Sequence, residues 1–86
     1  MKLIRVIHAE YLEGYKLKLS FNDGIIGIVD LEQELYGQVF EPLKKVEFFK
    51  YFQLDTWTVC WPNGADFSPE FLHTLALKNQ LELVKK

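Results

Sequence analysis

The fold is decided by residues 15–29, which read YKLKLSFNDGIIGIV. Apolar and polar side chains alternate strictly over residues 15–21, a pattern typical of a β-strand with one buried and one solvated face. The turn sequence Asn22-Asp23-Gly24 follows, and it predicts a hairpin because these residue types tolerate the positive φ angles of tight turns. Residues 25–29 then form the returning strand. We therefore expect an antiparallel hairpin at the centre of the fold.

The chain next to this hairpin predicts one more strand and one short helix. Residues 3–11 are rich in β-branched and aromatic side chains and predict a strand that precedes the hairpin. Asp30 and Gln33 have the spacing of a capping box, which predicts that a short helix begins after Asp30. We expect Gly37 to end that helix.

Residues 41–61 predict a second helix and a second hairpin. Apolar residues recur every three positions over residues 41–52, which predicts a helix with one buried face. Residues 52–61 are rich in aromatic and β-branched side chains. They predict a tight hairpin that turns at Asp55-Thr56.

A last helix is predicted to begin after Ser68. The Ser68 hydroxyl is a suitable N-cap, and Pro69 suits the first helical position because the N–H that it lacks would be unpaired there. We expect this helix to end near Asn79. Residues 81–86 would then form a tail that either packs through its apolar side chains or frays.

When the two helical stretches between residues 30 and 52 are taken together, these elements follow the order βββ-α-ββ-α, in which strands and helices are segregated. Such an order predicts an α+β fold with two layers, in which the helices pack on one face of a largely antiparallel β-sheet. A chain of 86 residues suits one domain, so we expect a single domain over residues 1–86. Its core should bring together eight apolar side chains: Leu17, Leu19, Phe21, Val46, Phe49, Phe71, Leu72 and Leu75.

Composition argues against several functional classes. The net charge is −2, and nine of the ten basic residues are lysines, with Arg5 the only arginine. Proteins that bind nucleic acids usually carry a basic surface and use arginine forks, so a nucleic-acid partner is not expected. The single cysteine, Cys60, excludes an internal disulfide and suits the cytoplasm. No apolar run has the length of a membrane span, so no membrane association is expected.

The sequence predicts no catalytic residue, metal site or cofactor. His8 with Glu10, and Glu70 with His73, each offer only two metal ligands, whereas a zinc site needs three or four. Cys60 lies in an apolar strand without an obvious base, where a thiol usually behaves as a small hydrophobic group. These residues therefore predict structural or surface roles, and we expect the protein not to be an enzyme.

Two aromatic segments suggest a protein partner. The first is WPNGAD at residues 61–66, which is either a structural corner or a binding corner, because tryptophan is common at interface hot spots. The second is the helix segment around Phe48 and Tyr51, since one helix cannot turn all of its neighbouring rings into the core. Thirteen aromatic residues are also many for so small an interior. The candidate partner-binding residues are Trp57, Trp61, Asn63, Asp66, Phe48 and Tyr51.

Several segments also resemble a known family. They are LSFNDG at 19–24, VDL at 29–31, VFEPL at 39–43, FF at 48–49 and WPNGAD at 61–66. In this order and spacing they resemble the bacterial family called domain of unknown function 2442. The resemblance implies a compact α+β module, sometimes followed by a helix-turn-helix domain for which this chain leaves no room. It also implies that the gene lies beside the gene of another small protein, which suggests an antitoxin-like role. The resemblance implies no catalytic residues.

Three functions stay open at this point. The first is a non-enzymatic interaction module that forms a homodimer or binds a small partner, preferably through the Trp57–Trp61 hairpin. The second is a nucleic-acid-associated regulator, which would need a basic face formed by four lysines: Lys16, Lys18, Lys44 and Lys45. The third is a small enzyme, which would need a pocket that holds three residues of the C-terminal half: Asn63, Asp66 and His73.

Overall fold

A three-stranded antiparallel sheet forms the centre of the fold. The structure is a computed structural model that describes the backbone of residues 3–84 and the side chains of residues 3–79. In spatial order the sheet consists of β1 (Val6–Glu13), β2 (Lys16–Phe21) and β3 (Ile26–Asp30). The predicted β2–β3 hairpin is confirmed: Phe21 donates its N–H to the Ile25 carbonyl at 2.8 Å. Gly24 has φ +92° in this turn, a value that glycine adopts without strain.

The register of the sheet separates a buried face from an exposed one. Leu19 of β2 lies opposite Ala9 of β1 and Gly27 of β3, and all three belong to the face that packs on the rest of the chain. Register shifts near both ends of β1 indicate bulges, which explain why apolar and polar residues alternate imperfectly there. On the exposed face Lys18 lies opposite Glu10.

The segment after β3 begins with a single turn of 3-10 helix, Glu32–Glu34. Asp30 Oδ1 accepts the Glu32 N–H at 3.0 Å, so Asp30 does pair with the backbone at this start. Leu31 holds the N-cap position, however, and the helix has no side-chain cap. The predicted capping box is therefore wrong, because Asp30 lies one residue before the N-cap and bonds two residues ahead, as in an Asx turn.

The helix predicted over residues 41–52 is wrong, because the chain forms two shorter helices instead. They are a 3-10 helix, Gln38–Lys44, and the one-turn helix α1 (Val46–Phe49). Lys45 between them is extended, with ψ 121°. In a continuous α-helix the Lys44 carbonyl would accept the Phe48 N–H. Here the Tyr15 hydroxyl donates to that carbonyl, and Phe48 bonds to the Lys45 carbonyl at 3.0 Å.

The second hairpin is confirmed but shorter than predicted. Its strands are β4 (Gln53–Leu54) and β5 (Val59–Cys60), which form a separate two-stranded sheet. Trp57 lies in the turn and not in the strand. Its carbonyl accepts the Val6 N–H at 2.8 Å, so the turn is tied to the start of β1.

The last helix, α2, is Pro69–Val84 and packs across β3. Ser68 acts as its N-cap, since Ser68 Oγ accepts the Phe71 N–H at 3.1 Å. The predicted end near Asn79 is wrong. The Asn79 side chain donates to the Ile28 carbonyl of β3 and so fastens the helix to the sheet without ending it. The predicted packing of the tail concerns side chains beyond residue 79, which lie outside the described part.

The core confirms the α+β fold and most of the predicted packing. Leu17, Leu19, Phe21, Phe49 and Leu72 are buried, and Val46 and Leu75 are partly buried. Phe71 is exposed, so its place in the predicted core is wrong. It lies in the first turn of α2, where its ring stacks on Phe67 instead of on the sheet. Within residues 3–84, no helix combines the length and apolar character that a membrane span requires.

Candidate functional site

The WPNGAD segment forms a corner whose polar groups are mostly used within the fold. Trp61 is only 2% exposed, and its indole N–H donates to the buried Phe49 carbonyl at 2.8 Å. The Asn63 amide donates to the Val39 carbonyl at 2.8 Å, and Asn63 Oδ1 accepts the Ala65 N–H at 3.2 Å. Trp61 and Asn63 thus tie this corner to Phe49 and Val39 respectively, and the buried Trp61 ring is not open to a partner.

Three exposed apolar side chains lie in the β4–β5 hairpin or just before it, and we name them together the hairpin patch: Tyr51, Leu54 and Trp57. Their exposed fractions are 68%, 41% and 46% respectively. Asp55 Oδ1 accepts the N–H groups of Trp57 at 2.7 Å and Thr58 at 2.8 Å, which fixes the turn. The patch is therefore held on an ordered backbone. Phe48 contributes less, because it is partly buried against the core.

A second feature is a groove of about 300 Å³ between the two 3-10 helices and the start of α2. We name it the aromatic groove, and its lining consists of Glu34, Tyr36, Phe40, Asp66, Phe67, Ser68 and Phe71. Asp66 is the one residue of the WPNGAD segment that reaches it. Sequence reasoning missed the other members, because they come from three separate segments. The available signal was the pair Phe67 and Phe71, four residues apart at a helix start.

Among the described residues, the three residues proposed for an enzyme site have different neighbours. Asp66 lines the aromatic groove, whereas His73 Nε2 bonds to Asp23 Oδ2 at 2.7 Å and its ring meets Phe21 edge to face at 4.9 Å. This contact fastens α2 to the β2–β3 turn. The hydrogen bond from the Ile25 N–H holds the pKa of the Asp23 carboxyl below its ordinary value. Desolvation raises this pKa, and the contact with His73 lowers it further.

The thiol and the possible metal ligands show no assembled chemistry. Burial raises the pKa of the Cys60 thiol, and the charges of Asp55 and Asp66 raise it further, so the thiol is protonated at neutral pH. Within the described residues, no three His, Cys, Asp or Glu side chains lie close enough together to hold a metal ion. The pairs that involve His8 and His73 therefore gain no third ligand there.

Three of the four lysines of the proposed basic face lie beside carboxylates. Lys16 Nζ is 3.7 Å from Glu13, and Lys44 Nζ is 3.3 Å from Glu41. Lys18 lies opposite Glu10 on the neighbouring strand. Each of these three lysines therefore has a negative neighbour, which offsets part of the positive charge of this face.

The fold and these surfaces define a small α+β protein with two exposed aromatic features. A family model described as Protein of unknown function (DUF2442) matches residues 6–77, and the chain belongs to this family. Searches of curated proteins and of solved structures find no match. The matched range includes both the hairpin patch and the lining of the aromatic groove.

Proposed function

We propose that this protein is a non-enzymatic interaction module that binds a small protein partner, as an antitoxin or accessory protein does. The observation that carries the proposal is the hairpin patch. Trp57 is 46% exposed in a turn that Asp55 fixes through two hydrogen bonds. An aromatic side chain on an ordered turn loses little conformational entropy on binding and suits an interface hot spot.

The surroundings of the patch support a protein partner over a substrate. Tyr51 and Leu54 add exposed apolar surface close to Trp57 in the chain. The Asp55 carboxylate is already occupied by backbone N–H groups, so it is poorly suited to acid–base catalysis. We place this role in the bacterial cytoplasm, where a free thiol such as Cys60 is kept reduced.

The proposal is tested by purifying the tagged protein from its native cell and measuring what binds it. We expect one small protein to copurify in a fixed ratio and to bind the purified chain again in light scattering. Trp57→Ser should weaken this binding at least about tenfold, as expected for a hot-spot residue. Ile28→Thr is the matched control, because Ile28 is 44% exposed on the open face of the sheet.

Two results would contradict the proposal. One is a chain that stays monomeric at high concentration and retains no protein at a fixed ratio. The other is a partner whose binding is equally strong with Trp57→Ser and with wild type. A homodimer that Trp57→Ser disrupts would support the same surface, with a second copy as its partner.

A further inference from the structure

The aromatic groove contains three rings that stack in sequence. Phe40 and Phe67 have centroids 4.8 Å apart and planes inclined by 26°, and Phe67 and Phe71 have centroids 5.8 Å apart and planes inclined by 19°. The middle ring is nearly buried, whereas Phe71 and Tyr36 are exposed, Tyr36 at 71%. Phe40 and Phe71 both stack on Phe67, so the aromatic surface that the groove offers to an incoming group comes from Phe71 and Tyr36.

The same groove also carries two negatively charged side chains. Glu34 and Asp66 are its two carboxylates, and no lining residue is basic. Among the described residues, neither side chain takes part in an ion pair or a side-chain hydrogen bond. Flat rings beside unpaired carboxylates attract a cation through both the ring quadrupole and direct charge.

We propose that the aromatic groove binds an arginine side chain from a basic segment of a partner polypeptide. A guanidinium group is planar and weakly hydrated, so it stacks on aromatic faces and pairs with carboxylates through two parallel hydrogen bonds. The lysine ammonium is a compact, strongly hydrated charge that does not stack in this way. The groove thus matches arginine in shape as well as in charge. It is separate from the hairpin patch, and the inference does not depend on the function proposed above.

A second copy of this chain could supply only one such side chain. Arg5 is the single arginine of the sequence, and its backbone N–H bonds to Asn22 Oδ1 at 3.1 Å beside the β2–β3 turn. The occupant that we propose is a different polypeptide. Arg5→Lys separates the two cases, since it removes every guanidinium from the protein.

The direct test is an NMR titration of the full chain with small neutral-backbone probes. The probes are N-acetyl-arginine methylamide, its lysine counterpart and its citrulline counterpart, which has nearly the same shape but no charge. We expect saturable amide shifts confined to Tyr36 and residues 66–71. The dissociation constant should be at least about tenfold lower for the arginine probe than for citrulline, because hydrogen bonds between charged groups are the stronger ones. It should also be several-fold lower for arginine than for lysine.

Variants of the groove locate the binding. Asp66→Asn combined with Glu34→Gln should weaken arginine binding at least about tenfold, and Tyr36→Ala should weaken it several-fold. Glu32→Gln is the matched control, since Glu32 lies in the same 3-10 helix but does not line the groove. Trp57→Ser should leave arginine binding unchanged, which keeps this test independent of the hairpin patch.

Several outcomes would overturn the proposal. They are the absence of saturable shifts in the groove, equal affinity for the arginine and citrulline probes, and equal affinity for arginine and lysine. Undiminished arginine binding by the Asp66→Asn and Glu34→Gln double variant would also overturn it. Self-association of the wild type that occupies the groove and disappears in Arg5→Lys would show that a second copy is the occupant, contrary to the proposal.

Discussion

Helix α2 lies against β3 at Gly27 with no room for a side chain between them. A Cβ atom added at position 27 would lie 2.7 Å from Ala76 Cβ and 3.2 Å from Ala76 Cα. Carbon atoms in contact normally stay about 3.5–4.0 Å apart. Gly27→Ala therefore forces the strand and the helix apart by roughly 1 Å, in a core that is packed too densely to absorb the shift freely.

The expected cost of Gly27→Ala follows from two opposing effects. Overpacking costs about 1–3 kcal/mol, whereas replacing a glycine lowers the entropy of the unfolded chain and returns about 0.4–1 kcal/mol. Gly27 is not among the glycines with positive φ, so its backbone accepts alanine without strain. We expect a net loss of about 1–2 kcal/mol. In a domain of this size that loss lowers the melting temperature by roughly 5–15 °C.

A double-mutant cycle shows whether the loss comes from this contact. Ala76→Gly removes the nearest atom but by itself costs about 1 kcal/mol, because glycine is unfavourable inside a helix. The double variant Gly27→Ala/Ala76→Gly should therefore be more stable than the sum of the two losses predicts, by about 1 kcal/mol. Urea denaturation followed by tryptophan fluorescence measures all four proteins. A Gly27→Ala variant as stable as wild type, or strictly additive losses, would refute the close packing of α2 on β3.

Three further perturbations test other parts of the structure. Trp61→Phe should lower the free energy of unfolding by about 2–4 kcal/mol, because it leaves the Phe49 carbonyl buried without a donor and removes part of a core ring. An unchanged denaturation midpoint would contradict the structural role of Trp61 in the WPNGAD corner. Leu72→Ala should cost about 2–5 kcal/mol, and a near-wild-type midpoint would argue against a core between α2 and the sheet. Asp23 has a lowered pKa when folded, so its stabilisation is present at neutral pH and is lost as the pH falls through that pKa. Asp23→Asn should therefore make stability less dependent on pH in the acidic range, and an unchanged profile would oppose this role.

The parts of the fold that sequence predicts well are set by local interactions. The β2–β3 hairpin depends on alternation within β2 and on Gly24 in its turn, and both are visible in one short stretch. The start of α2 likewise depends on Ser68, which bonds within its own first turn. The predicted helix over residues 41–52 is interrupted at Lys45, which is extended, and beside this break the Tyr15 hydroxyl donates to the Lys44 carbonyl from a distant position in the chain. No periodicity within that segment reports such a contact.

The candidate site divides in the same way. Sequence predicts that aromatic residues exceed the interior, and it selects Tyr51 and Trp57, which are exposed. The sequence does not show that the Trp61 ring is buried, because that orientation depends on the Phe49 carbonyl as a hydrogen-bond acceptor. Alternation along a strand separates its two faces, but it does not show which partner segment covers each face.

The position of Phe71 explains why the aromatic groove exists. The buried stripe of α2 includes Leu72 and Ala76, which lie four residues apart on the side that packs against β3. Neighbouring residues on a helix point about 100° apart, so burying Leu72 turns Phe71 away from the sheet. There Phe71 stacks on Phe67, and the Asp66 carboxylate lines the same groove. Packing of the core thus leaves exposed rings and negative charge at one place. An arginine side chain can stack on such rings and pair with a carboxylate at the same time.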